Sequence, residues 1–336
     1  MTLPVYPNSI SLSQVNTELG LSATAPISMG SSSVRTLFAR ASGAISMSDG
    51  HGKANKFKVT ISSNMSDLDL RPWLVALGWD QTVAVEVTNN ASIYASSTGT
   101  YGLYVTGSFP GGLTFTNNGN IVGRGGRGDG GRTFVGAGGC NAVHYVTLAT
   151  AGGPAMYVST YFTMYNNSII GGGGGGGGSG GGRYLFSPPQ ACVTPPTLAF
   201  SAGGPGGGGA GNGAGGAFNM WQGGQTAGSS TGNCTGVGQK TASYNGSDGS
   251  MTGAGAAGSP GPTTYSECNG AAMNGAPGGS GGSLGASGVD GTAGTFTTLS
   301  DTDARAGGYG RAGGAAIVGN GYITWGATGS RYGAIS

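Results

Sequence analysis

Residues 171–182 read GGGGGGGGSGGG, and Ser179 alone among them carries a side chain. A single tract of this kind is usually a flexible linker. Here the tract is one of a series, with others at 203–216, 253–261 and 275–294, and one linker between two domains does not account for the set. A collagen triple helix would need glycine at every third position throughout, and that period is absent. The remaining ordered solution is a bundle of extended, polyproline-II-like glycine segments lying side by side. Such a helix has three residues per turn and no internal hydrogen bonds. Its N–H and C=O groups must therefore pair with neighbouring segments wherever they are buried. Glycine permits the close approach because it lacks Cβ, although ordering it costs more backbone entropy than ordering any other residue.

Composition supports order over disorder. Glycine accounts for 76 of 336 residues, about three times the usual share of ~7%. Disordered chains combine high net charge with few apolar residues. This chain has a formal charge of +2, 8% charged residues and 37% hydrophobic residues. A pI near 8.3 with so few charges lacks the clustered Lys and Arg of a nucleic-acid-binding face. No apolar run reaches the length of a membrane span, and Met1–Pro7 lacks the basic and then apolar pattern of a secretory signal.

Outward from the glycine region the chain divides into four parts. Residues 1–56 form a polar, Ser-rich head. Ser11 and Gln14 make a capping box for a short helix that Gly20 can stop, and a second short helix is expected from Ser32 or Ser33 to Ala41, ending at Gly43. Neither is long enough to be stable alone, so the head must dock on a partner surface, either the rest of the chain or another protein. Residues 57–123 form a β module. Phe57, Val59 and Ile61 alternate with polar residues, Pro72–Leu77 suggests a helical turn ending at Gly78, and short apolar clusters then recur about every ten residues between turn formers. That spacing indicates a sandwich, a barrel or a small solenoid. Residues 124–314 are the glycine-rich region, and 315–336 a closing strand containing Trp325. The fold class expected is mainly β and irregular, with few helices and a polyglycine-II-like bundle from which loops project.

Three segments between the tracts carry large side chains: 183–201, 218–251 and 263–274. Recognition residues concentrate in loops on rigid scaffolds, which makes Tyr184, Leu185, Phe186, Phe218, Trp221, Tyr244 and Tyr265 candidate binding residues. The competing assignment is that these residues form a core that glycine cannot supply. Cys140, Cys192, Cys234 and Cys268 are too widely spaced for a zinc site. Either they remain thiols or some of Cys192, Cys234 and Cys268 pair in a disulfide, and the connectivity stays open. Catalytic groups are sparse. His51 lies in the head, His144 stands beside Tyr145 in an apolar stretch, and Asp67, Asp69 and Asp80 are close only in sequence, so neither an enzyme nor a cofactor or metal is expected. Chance explains the GxGxxG matches and the Arg127-Gly128-Asp129 tripeptide, and the Asn-x-Ser/Thr sites at Asn90, Asn233 and Asn245 carry no meaning in a protein that never enters a secretory pathway.

The head "SISLSQVNTELGLSATAPISMGSSSVRTLFARASGAISMSDGHGKAN" resembles an N-terminal block of tailed-phage structural proteins. "GSFPGGLTFTNNGNIVGRGGRGDGG" and the terminal "GNGYITWGATGSRYGAIS" resemble segments of glycine-rich phage tail-tip and fibre proteins, and the tract-and-loop middle is similar in style to the polyglycine adhesins that cap long tail fibres of some T-even-like phages. The resemblance implies a virion tail protein, assembled in the host cytoplasm, that binds a host outer-membrane protein or surface polysaccharide through variable loops and other phage tail proteins through its head. The habit of phage fibres favours a homotrimer over a single-chain tip. The competing functions are a purely structural tail or decoration protein and, less favoured for want of a signal or anchor, a bacterial surface adhesin.

Overall fold

The computed structural model describes residues 3–130, 133–136, 142–145, 148–180, 183–185, 199–201, 208–214, 246–258, 273–274, 277–292, 295–296 and 307–336. Strands dominate and helices are few, as expected for a mainly β chain. From Lys56 onward the chain winds as a parallel solenoid in which each rung places one strand on each of three sheets. The first rung is β1 (Lys56–Ile61), β2 (Met65–Ser66) and β3 (Leu68–Asp69); the second is β4 (Ala84–Asn89), β5 (Ser92–Tyr94) and β6 (Leu103–Val105). The third runs through β7 (Leu113–Asn117) and β8 (Asn120–Val122). It then leaves for a glycine-rich excursion carrying the antiparallel pair β9 (Thr133–Gly136) and β10 (Ala142–Tyr145), and closes on β11 (Met156–Val158). The fourth rung, β12 (Phe162–Asn166) and β13 (Ile169–Gly171), makes a far longer excursion before closing on β18 (Ile317–Val318). Within that excursion β14 (Arg183–Leu185) pairs antiparallel with β15 (Ala199–Ser201), and β16 (Met273–Asn274) with β17 (Thr295–Phe296). The fifth rung consists of β19 (Ile323–Ala327), β20 (Ser330–Tyr332) and a bridge from Ile335 to Ile317.

The sheets are ordered β1-β4-β7-β12-β19, β2-β5-β8-β13-β20 and β18-β11-β6-β3. In-register pairing stacks like on like. Val59, Val87, Phe115, Met164 and Trp325 form one inward column. Met65, Ile93, Ile121 and Ile170 form another, and Leu68, Leu103, Met156 and Ile317 a third. Alternation works because successive side chains on a strand point to opposite faces. Val85, Val87, Leu113, Phe115, Phe162 and Met164 are buried while their neighbours on the same strands face outward. The strands expected in 57–123 are therefore two rungs and part of a third in a structure that residues 156–171 and 317–332 complete. The closing strand around Trp325 is the last rung, with Trp325 half-buried and its Nε1 donating to Asn320 Oδ1 at 3.0 Å.

A buried asparagine ladder holds the corner between the first two sheets. Asn89 Nδ2 donates to Asn117 Oδ1 and Asn117 Nδ2 to Asn166 Oδ1, both at 2.8 Å, and Asn166 Nδ2 donates to the Thr328 carbonyl, also at 2.8 Å. The following residues repeat the pattern on the outside, Asn118 to Asn90 at 3.0 Å and Asn167 to Asn118 at 2.9 Å. The helix at Pro72 forms as expected. It is α3 (Leu70–Ala76), the third helix after two in the head, and Gly78 at φ 96° follows it.

In the head, Ser11 caps α1 (Leu12–Glu18) with the complete capping box, and α2 (Ser32–Leu37) ends earlier than expected, since Ala39 takes a positive φ of 55°. The two helices share a small core of Leu3, Val15, Val34, Leu37 and Phe38. Part of the partner surface that such short helices require is thus each other. This core is separate from that of the solenoid.

The excursions of the third and fourth rungs meet beside the solenoid. Residues 172–179 run through the middle of six glycine-rich segments. The central segment donates from Gly173 and Gly176 to Gly153 and Thr150, from Gly175 and Gly178 to Ala286 and Val289, and from Gly174 to Ala210, at 2.8–3.0 Å. It accepts at Gly171, Gly174 and Gly177 from Gly123, Gly126 and Asp129. Gly172, Gly175 and Gly178 accept from Gly285, Gly282 and Gly279, and Gly173, Gly176 and Ser179 from Gly314, Arg311 and Gly308. Five of the six neighbours are thus addressed at every third residue, and the sixth, around Ala210, at Gly174. The ring closes on itself through bonds such as Thr150 to Arg127, Gly152 to Ala312, Gly288 to Arg311, Val289 to Ser280, Ala210 to Gly282 and Gly209 to Gly126.

Two substitutions test this architecture. A Cβ on Gly175 would collide with the backbone of Arg311 and Ala312, so Gly175→Val should lower thermal stability and amide protection in the lattice, as measured by calorimetry and hydrogen exchange. Asn117→Ala would leave the buried Asn89 Nδ2 donor unmatched and leave Asn166 Oδ1 only the Ser168 N–H at 3.4 Å. The expected loss is roughly 1–3 kcal/mol for the orphaned donor, read by denaturant titration.

Candidate functional site: the distal end of the glycine lattice

The hydrogen bonds fix the direction of every lattice segment. The central segment leaves the solenoid at β13 and reaches Ser179 at the far end. Segment 123–129 runs the same way, whereas Thr150, opposite Gly176, precedes Gly153, opposite Gly173, so that segment returns towards the solenoid. By the same pairing, 279–285 and 308–314 run inward and 286–291 outward. Ser247, beside Gly208, is distal, Ser250 beside Gly211 is closer to the solenoid, and Gly255 is back beside Gly208. The turns at 210–213, 250–253 and 284–286 lie at the solenoid end. Consequently the five intervals 131–147, 181–207, 215–245, 259–276 and 293–306 are all entered and left at the Ser179 end. The short pairs β9–β10, β14–β15 and β16–β17 belong to these intervals, and β16–β17 joins two of them.

This arrangement brings to one end the last described residues before the three side-chain-rich segments, Gly180, Ala214 and Gly258. Of the candidate binding residues, Tyr184 and Leu185 lie on β14, with their backbones opposite Phe200 and Ala199. Phe186, Phe218, Trp221, Tyr244 and Tyr265 lie outside the described residues, as do the four cysteines. The segment 218–251 is corrected at its end. Residues 246–251 belong to the lattice, and Met251 packs against the cluster of Val122, Ala210 and Leu284. The sequence offered no signal for the shared distal end, because pairing between tracts far apart in the chain decides it.

Several sequence motifs acquire structural explanations. In Arg127-Gly128-Asp129 the backbones of Gly128 and Asp129 donate to Ala214 and Gly177, and Asp129 is 2% exposed. The tripeptide is part of the lattice and is not displayed as a loop. Asp67 and Asp80 are held in local turns on the solenoid. Burial raises the Asp67 carboxyl, but hydrogen bonds from the Ser96 N–H at 2.9 Å and the Thr100 hydroxyl at 2.7 Å outweigh it and keep it below the usual range. For Asp80, bonds from the Thr82 and Val83 N–H groups likewise prevail over burial. Both shifts run opposite to what a general acid needs. His51 Nδ1 lies 3.1 Å from the Pro4 carbonyl in the head, and His144 is on β10. Among the described residues no three His, Cys, Asp or Glu side chains are grouped to hold a metal, and no helix is long and apolar enough to cross a membrane.

A comparison with curated proteins gives no significant match. Among solved structures, the chain is similar to one in the crystal structure of the gp37-gp38 adhesin tip complex of the bacteriophage S16 long tail fiber. The two share 19% identity at a TM-score of 0.47, over 90% of this chain and 91% of that one. Residues 56–336, starting where β1 starts, match the family model described as phage tail fibre adhesin Gp38. On that match the chain belongs to the Gp38 family of phage tail fibre adhesins and is a component of the virion tail.

Proposed function

We propose that the protein recognises and binds a receptor on the host-cell surface during adsorption, through loops carried at the distal end of its glycine-rich region. The observation that carries this reading is the convergence of five intervals on one end of the lattice, three of which contain the aromatic and proline-rich segments. Tyr184, Leu185, Phe186, Phe218, Trp221, Tyr244 and Tyr265 are the anchors in this reading. They fill pockets on an outer-membrane protein or surface polysaccharide while the surrounding polar residues set specificity. The action is binding alone, with no bond made or broken. In this reading the glycine-rich region is a polyglycine-II-like bundle. The hydrogen bonding to six neighbours, five of them with a period of three residues, supports that assignment.

The head, residues 1–56, is the attachment region to other phage tail proteins, and assembly takes place in the host cytoplasm. In favour of this role, the head has a core of its own and exposes Val5, Tyr6, Leu12 and Leu21 to solvent. A homotrimer would multiply weak receptor contacts through avidity. Beyond the head, the proposed division is a β module that starts at 57–123, a receptor-binding region inserted within 124–314, and a closing strand at 315–336 that supplies the module's last rung.

Two experiments test these roles. Deleting residues 1–50 should leave the glycine lattice folded by hydrogen exchange yet stop incorporation into particles, and normal incorporation of the truncated protein would refute the attachment role. Exchanging segments 183–201, 218–245 and 263–274 together with those of a related phage infecting another host should transfer host range. Host range that stays with the head or the solenoid would place the receptor contact elsewhere. Purified protein that fails to compete with virions for host cells would favour a purely structural tail component.

A further inference from the structure

We infer that the buried pair Ser179–Asp129 sets the register of the glycine lattice, and thereby the height at which the distal intervals leave it. The consequence for adsorption rests on the proposed loop-borne recognition; the register role does not. A glycine tract paired at every third residue is degenerate. If the central segment slid by three positions, Gly175 would take the bonds of Gly172 and Gly178 those of Gly175, with no side chain to notice. Glycine-rich pairings are weakly specified for this reason. β13 anchors the inner end of the tract, but residues 172–178 contain nothing except backbone.

Ser179 breaks the degeneracy. It is 0% exposed, and its Oγ donates to Asp129 Oδ2 at 2.9 Å while its N–H lies 3.3 Å from the same oxygen. A three-residue slip would put glycine opposite Asp129 and leave a buried carboxylate without its hydroxyl donor, a costly arrangement. A third segment reads the same position. A Cβ on Gly308 would collide with Asp129 Oδ2 and crowd Ser179 Oγ, and the Gly308 N–H donates to the Ser179 carbonyl at 2.6 Å. One polar pair thus aligns three segments where the chain leaves the lattice. A single buried polar residue fixes coiled-coil register by the same logic.

The test inserts three glycines between Gly174 and Gly175 of the full chain, one full turn of the segment. Alone, the insertion carries Ser179 one turn past Asp129. The melting temperature should fall by about 2 °C or more, and the amides of Gly291 and Gly308 should exchange faster. Adding Gly176→Ser and Ser179→Gly to the insertion returns a serine to the position opposite Asp129 and should restore both readouts. An inserted protein as stable as the parent, or a relocated serine that restores neither readout, would overturn the inference. Failure of both variants to fold counts as lack of rescue and has the same meaning. In the rescued protein the chain from residue 183 onward also leaves the lattice one turn further out. If that protein is stable but still blocks virion adsorption as the parent does, the register role stands and the loop-borne reading of recognition fails.

Discussion

Residues 172–179 meet their backbone hydrogen-bonding requirement almost entirely from other segments, and the rest of the glycine-rich region is arranged to provide the partners. A buried N–H or C=O left unpaired is costly, and the bonds that residues 172–179 make go to other segments. Six neighbours therefore surround it, five of them contacted at every third residue. A Cβ on most central glycines would overlap the backbone of a neighbour, as with Gly173 against Arg124, Gly174 against Gly282 and Gly176 against Arg127. Close approach and full pairing are one requirement here, and glycine is the residue that satisfies both.

The lattice needs a foundation that is not degenerate, and the solenoid supplies one. Its columns are distinguishable by size and chemistry, and the asparagine ladder through Asn89, Asn117 and Asn166 ties three rungs at one corner, where amide groups match only in register. Both long excursions start from sheet two, after β8 and β13, and end on sheet three, at β11 and β18. Gly123 donates to Gly171 and Gly172 to Tyr332, so the first lattice bonds continue the spacing of the last strand bonds. The solenoid thus sets where the lattice begins and which way its segments point.

Much of this was legible locally. The capping box at Ser11 and Gln14, the stop at Gly20, the helix around Pro72 and the alternation from Phe57 to Ile61 all depend on near neighbours. The spacings of 28 and 49 residues between Asn89, Asn117 and Asn166 hid the rung period, because a glycine-rich excursion interrupts the third rung. The strands at 156–171 and 317–332 were separated from their partners for the same reason. At the candidate site, the sequence marked which segments carry large side chains. It also misplaced residues 246–251, which have the composition of a loop and the pairing of the lattice.

The sequence by itself determined the kind of packing. Abundant glycine, little charge and apolar clusters at even spacing leave backbone as the main packing material and short strands as its support. Only the tertiary structure decided which tract lies at the centre, which segments surround it, and that all five intervals open at one end. Glycine tracts are locally alike, so a segment's identity comes from partners far away in the chain, as Ser179 takes its position from Asp129 fifty residues before it. Long-range hydrogen bonds carry that information, and a sequence without side chains has no local means of recording it.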